Sequence, residues 1–226
     1  MKPCRYLDND NVKSLLLAAF AVAAVGNIIG EAIHSQPVDW ITKPLLMPFL
    51  MWYSVSTARQ RALPVDRRLV VALALAWAGD VALEVPWPGA FILGMLCFLG
   101  AYGTYTQIFL RGGRRPVPAV VVGYAVFGGA MLVWLWPGLA ERGLAVPMAV
   151  YAVVLTAMAV AATTRGRRIA VGGALLLLSD ALIAMRIADA ATVPGPPIWV
   201  MVTYTLGQAL VVTGLVSAER PVAAVP

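Results

Sequence analysis

Apolar residues in this chain come in eight runs, each near the roughly 20 residues that a membrane-spanning helix uses. The runs cover 12–33, 40–57, 69–85, 91–110, 117–136, 146–163, 169–187 and 198–216. Between them stand short stretches of turn formers and charge: Ser35-Gln36-Pro37, Pro86-Trp87-Pro88-Gly89, Gly112-Gly113, Pro137-Gly138, Arg165-Gly166 and Pro194-Gly195-Pro196-Pro197. Connections this short predict antiparallel sequential neighbours in a helical bundle. The expected fold class is therefore all-α: a polytopic membrane protein with eight transmembrane helices, forming one domain over 1–226.

Composition excludes the soluble classes. Of 226 residues, 61% are apolar and 12% charged, far from the soluble balance. Eight spans take about 160 positions, which leaves no room for a soluble domain. The first run follows a short polar tail, is long enough to span and lacks a small-residue cleavage pattern. It reads as a retained helix rather than a signal peptide. Two cysteines, Cys4 and Cys97, and one histidine, His34, suit neither a disulfide framework nor a multi-histidine zinc centre. No metal or cofactor is expected.

The formal charge of +6 would suggest a nucleic-acid partner in a soluble chain, but its placement points to the bilayer instead. Lys2, Arg5 and Lys13 mark the N-terminal tail and the very start of the first run; Arg59, Arg61, Arg67 and Arg68 fill the second loop; Arg111, Arg114 and Arg115 the fourth; Arg165, Arg167 and Arg168 the sixth; and Arg220 the tail. The opposite loops hold only Arg142 and Arg186, and Lys43 lies inside a run. The positive-inside rule then places both termini in the cytoplasm, as an even number of spans requires. A bacterial cytoplasmic membrane is the expected location.

A repeat accompanies this alternation. Arg67-Arg68 followed by an apolar run to Gly79-Asp80 recurs 100 residues later as Arg167-Arg168 followed by a run to Ser179-Asp180. A parallel 4+4 duplication, with halves 12–111 and 117–217, would place one aspartate at equal depth in the third helix of each half. Twelve residues separate Arg68 from Asp80 and Arg168 from Asp180. At 1.5 Å per residue each carboxyl lies roughly 18 Å from the arginine-bearing face of a core about 30 Å thick.

Intramembrane carboxylates are functional by default because an unpaired charge in hydrocarbon costs several kcal/mol. Asp80 and Asp180 are accordingly the candidate functional residues, sharing an outward-opening polar cavity. Lys43, about one turn deep from the outer side, is either a ligand for substrate or a counter-ion to an aspartate. Glu84 stands one turn beyond Asp80 on the same face. Glu31, Glu84 and Arg186 are near enough to the interface to snorkel to water. Tyr102, Tyr105, Tyr204 and Gln208 could line the cavity or serve as interhelical hydrogen-bond glue. His34 reads as a loop residue, and Trp40, Trp87 and Trp136 as interfacial anchors.

In order along the chain, Lys43-Pro44 opening the second helix, Gly79-Asp80, the run Phe91, Gly94 and Phe98 leading to Tyr105, then Pro147, Tyr151 and Met158, Ser179-Asp180, and Tyr204 with Gly207-Gln208 resemble the YhhN family of integral membrane proteins, which includes lysoplasmalogenases. The set spans nearly the whole chain. One position departs from the family pattern: Tyr102 stands where a histidine is expected. The resemblance implies a membrane hydrolase that cleaves the vinyl-ether bond of a lysophospholipid, giving a fatty aldehyde and a glycerophospho-head group, with no cofactor. That chemistry needs one protonated acid, one carboxylate and a water, which two aspartates in unlike environments supply. Lys43 would hold the phosphate or tune a carboxylate. The same aspartates suit a proton-coupled transporter, and a non-catalytic scaffold is the third reading.

Overall fold

The computed structural model describes residues 9–111, 114–190 and 196–218. Cys4, Gly112-Gly113, Pro194-Gly195 and Arg220 lie outside that set. The described residues form eight α-helices and no strand: α1 (Asn9–Ala32), α2 (Gln36–Gln60), α3 (Arg67–Glu84), α4 (Ala90–Leu110), α5 (Pro118–Glu141), α6 (Ala145–Ala162), α7 (Arg167–Ile187) and α8 (Pro196–Ala218). Each apolar run of the sequence is one helix. Six of them are long and apolar enough to cross a membrane; α2 and α3, which carry Asp39, Lys43, Asp80 and Glu84, are the other two. The protein is a polytopic helical membrane protein. Large apolar side chains such as Val22, Trp52, Val133 and Val153 turn outward, as a hydrocarbon surround allows.

Helix ends follow local chemistry. The Asp66 carboxylate accepts from the Arg68 backbone N–H at 2.9 Å and caps α3. Gly143, at φ +69°, ends α5: its N–H donates to the Ala140 carbonyl and that of Leu144 to Leu139, the pairing that satisfies terminal carbonyls when one residue turns left-handed. His34, at φ 53°, takes the same position after α1, so it serves as a helix terminator.

Two boundaries differ from the sequence reading. Pro137-Gly138, read as a break, lies inside α5. An internal proline removes one backbone hydrogen bond without forcing a stop, and the turn falls at Gly143. At Gly138 a side chain would run into the Ala188 backbone, so the glycine serves contact with the end of α7. Likewise Lys43-Pro44 does not open α2; the helix starts at Gln36, with a proline in its first turn and Pro44 and Pro48 inside it.

Neighbour contacts run α1–α2–α3–α4–α6–α7–α8, and α8 closes the bundle against α1 and α2. The eighth helix, α5, packs outside on α6 and α7. Ends rich in arginine meet on one side: Arg61, after α2, donates to the Val216 carbonyl of α8 at 2.7 Å, and Thr164, after α6, reaches the Phe109 carbonyl of α4.

Two helix pairs approach closely. Between α3 and α4, a Cβ on Gly79 would lie 2.7 Å from the Phe98 ring and 3.2 Å from the Gly94 carbonyl oxygen. Between α7 and α8, a Cβ on Gly172 would lie 2.9 Å from the Gly207 carbonyl oxygen. Small residues at such crossings let backbones meet where lipid provides no hydrophobic drive.

Gly172→Ala must push two backbones apart and is expected to cost about 1–3 kcal/mol of stability. Gly103→Ala, with nothing within 4 Å of its new methyl, is expected to leave the thermal midpoint in detergent undiminished.

Candidate active site

Helices α3 and α7 each deliver an aspartate inward. Gly79 lets the Phe98 ring lie against α3, and the next residue, Asp80, is buried at 3% exposure. On α7 the Ser179 hydroxyl donates to the Val200 carbonyl of α8 at 3.1 Å, locking the turn that carries Asp180. Both aspartates line one cavity of about 80 Å³, which has room for several waters. Lys43, Ser179, Tyr151 and Tyr204 share it with Phe98 and Met201.

Each carboxylate is held by one phenol from another helix. The Tyr204 hydroxyl of α8 donates to Asp80 at 2.8 Å, and the Tyr151 hydroxyl of α6 donates to Asp180 at 2.6 Å. The rings between them form an arc. Tyr204 meets Phe98 edge-on with centroids 6.0 Å apart, Phe98 stacks on Tyr102 at 6.1 Å, and Tyr102 meets Tyr151 edge-on at 6.0 Å. Such contacts fix ring orientation, so the two hydroxyls are aimed by a connected set of side chains. Tyr102 is fully buried, with Asp180 and Tyr151 as the polar neighbours of its hydroxyl.

Lys43 pairs with Glu84 rather than with an aspartate, at 2.6 Å, with both side chains largely buried. Lys43 reaches the cavity wall; Glu84 stands behind it and does not line the cavity. Tyr105 and Gln208 lie elsewhere: the Tyr105 hydroxyl donates to the Gln208 side-chain oxygen at 2.8 Å, both fully buried and away from the cavity. Of the eight residues singled out from sequence, Asp80, Asp180, Lys43 and Tyr204 are thus brought together. Tyr102 and Glu84 form a layer behind them, and Tyr105 with Gln208 ties α4 to α8. Tyr151 stood out in the sequence only as part of the family resemblance. Its signal was a single phenol in the otherwise apolar stretch 145–155. Among the described residues no three His, Cys, Asp or Glu side chains gather as a metal would require.

The pattern of the YhhN family matches residues 38–215. The chain belongs to the YhhN family. Its curated relatives include proteins named lysoplasmalogenase from Mycobacterium bovis and Mycobacterium tuberculosis, each 34% identical over 165 residues. The match covers 66% of this chain and 60% of each relative, so it spans under two thirds of their length. No solved structure matches. This YhhN protein places Asp80, Asp180, Tyr151 and Tyr204 within the matched region, whereas α1 precedes it.

Tyr105→Phe leaves the Gln208 side-chain oxygen buried without its donor. It is expected to lose about 1–3 kcal/mol in denaturant unfolding, while the cavity side chains keep their contacts.

Proposed function

We propose that this protein is a membrane-embedded hydrolase of lysoplasmalogen, releasing a fatty aldehyde and a glycerophospho-head group, with Asp80 and Asp180 as its acid and base. The observation that carries the reading is two carboxyl groups on one small cavity, each steadied by a phenol. The relatives' names supply the substrate class.

The chemistry follows from the enol ether. Its β-carbon is the basic site, and a carboxylic acid that delivers a proton there leaves an oxocarbenium ion at the carbon bound to oxygen. The second aspartate, ionised, stabilises that cation. It then takes a proton from water as the water oxygen bonds to the cationic carbon, giving a hemiacetal. Collapse of the hemiacetal breaks the bond to the glycerol oxygen, which leaves with a proton, and the aldehyde remains. Tyr204 and Tyr151 fix where each carboxylate points. Lys43, at the cavity wall, would exchange its Glu84 partner for the lipid phosphate.

We also infer from the arginine distribution that the termini face the cytoplasm. The Lys43–Glu84 end of the cavity then faces the outer side, and the substrate arrives laterally from the bilayer.

Purified protein in detergent is expected to release aldehyde from a lysoplasmalogen without any gradient, and Asp80→Asn or Asp180→Asn to lower turnover by about 10²–10⁴-fold with folding retained. Unchanged turnover in both variants would remove the catalytic assignment. A carrier would instead show substrate movement only between two compartments. For the phosphate site, Lys43→Met is expected to raise KM several-fold with little change in kcat, and Glu84→Gln, which frees the ammonium, to lower KM.

A further inference from the structure

The site account leaves α5 unused, and its packing is unusual. Among its described residues only Leu135 and Leu139 are buried, and these pack with Met148, Ala184 and Ala188 near one end of the helix. From Pro118 to Leu132 no residue is buried, although Tyr124 packs against the main core and Gly128 lies beside Thr156 of α6. Between this stretch and α4 and α6 runs a groove of about 520 Å³ whose walls include Gly128, Gly129, Ala152 and Ala157 and no charged side chain.

The groove connects to the aspartates. A smaller cavity between α5, α6 and α7 shares Gly128, Ala152 and Thr156 with the groove, and shares Met148, Tyr151 and Asp180 with the carboxylate cavity. A passage of adjoining cavities therefore leads from Asp180 toward the lipid-facing flank of α5, past the close approach of Gly128 to Thr156. Along α6, ten residues separate Tyr151 from Ala161 at the far end of the groove. That is about 15 Å of helix, the depth of one leaflet of hydrocarbon.

We propose that this passage binds the aliphatic chain of a single-chain lipid, with the reacting carbon at Asp180 and the chain laid along α6 under α5. It rests on the hydrolase reading above. Small side chains on both walls, Gly129 of α5 with Ala152 and Ala157 of α6, line the groove, and its lipid-facing side gives the chain a sideways route from the bilayer. Gly129 and its neighbours on the groove wall thus determine which chain lengths are accepted. A second groove on the opposite flank of α5, at Gly123 and Ala174, adjoins the smaller cavity through the bulky Phe127 and Leu177, whereas the first adjoins it mainly through the small Gly128, Ala152 and Thr156, so the chain is assigned to the first.

The test compares short-chain and long-chain lysoplasmalogens. Nothing lies within 4 Å of a Cβ at Gly129 or at Gly123, so Gly129→Phe places a ring in the groove without backbone conflict, and Gly123→Phe does the same on the other flank. Gly129→Phe is expected to lower kcat/KM for the long chain by at least about tenfold while leaving the short chain within about twofold, with Gly123→Phe unchanged for both. Equal loss for both chains, or the same selective loss in Gly123→Phe, overturns the proposal. A non-cleavable lysophospholipid ether with a photoreactive chain end gives a readout free of turnover. Label on 125–132 or 152–161 supports the groove, and label elsewhere overturns it. If the wild type cleaves no lysoplasmalogen, the hydrolase reading fails and the labelling still decides the groove.

Discussion

Two ionisable carboxyls at the depth of the lipid tails are the constraint around which the bundle is organised. Each would cost several kcal/mol if left facing hydrocarbon, so each must be supplied with polar partners by other helices. Asp80 takes its donor from α8 and Asp180 from α6, and the phenols that donate are themselves braced by Phe98 and Tyr102 of α4. Five helices thus meet to satisfy two side chains. A side-chain network of this kind holds one arrangement because any shift leaves a buried polar atom unpaired.

The close helix crossings serve the same end. An aspartate can reach a phenol on another helix only if the intervening backbones are near, and Gly79 against Gly94 and Gly172 against Gly207 bring them near. The Lys43–Glu84 pair and the buried hydrogen bond from Asn27 to Asp39 at 3.1 Å tie α2 to α3 and α1 by side chains instead. Steric fit and polar pairing therefore share the work of assembly in a solvent that offers no hydrophobic drive between helices.

Much of this was legible in the sequence for a physical reason: a membrane demands runs of fixed length, so eight apolar runs became eight helices, and a charge inside a run had to turn inward. That logic found Asp80, Asp180 and Lys43. It did not find the partner of Lys43, because Glu84 is 41 residues away and side-chain pairing across helices leaves no local trace. It also read Pro137-Gly138 as a turn, since a proline and a glycine in tandem favour turns wherever tertiary contact does not override them; here contact with the end of α7 does. Tyr105 and Gln208 had helical spacing compatible with the cavity, yet they face each other, which spacing alone does not distinguish.

The position of α5 follows from the same reasoning. A closed set of seven helices can shield two aspartates from lipid, but the proposed lipid substrate must still arrive without crossing water. An eighth helix fixed most firmly at one end, by Leu135 and Leu139, covers the side of α6 and α7 while its other half buries no residue. Loose packing is usually a stability cost, and in water it would be filled by repacking or by solvent. In a bilayer the gap is filled by acyl chains at little expense, because hydrocarbon replaces hydrocarbon. The apolar opening beside Asp180 can therefore persist in the folded state, and a chain that enters it exchanges one hydrocarbon surround for another.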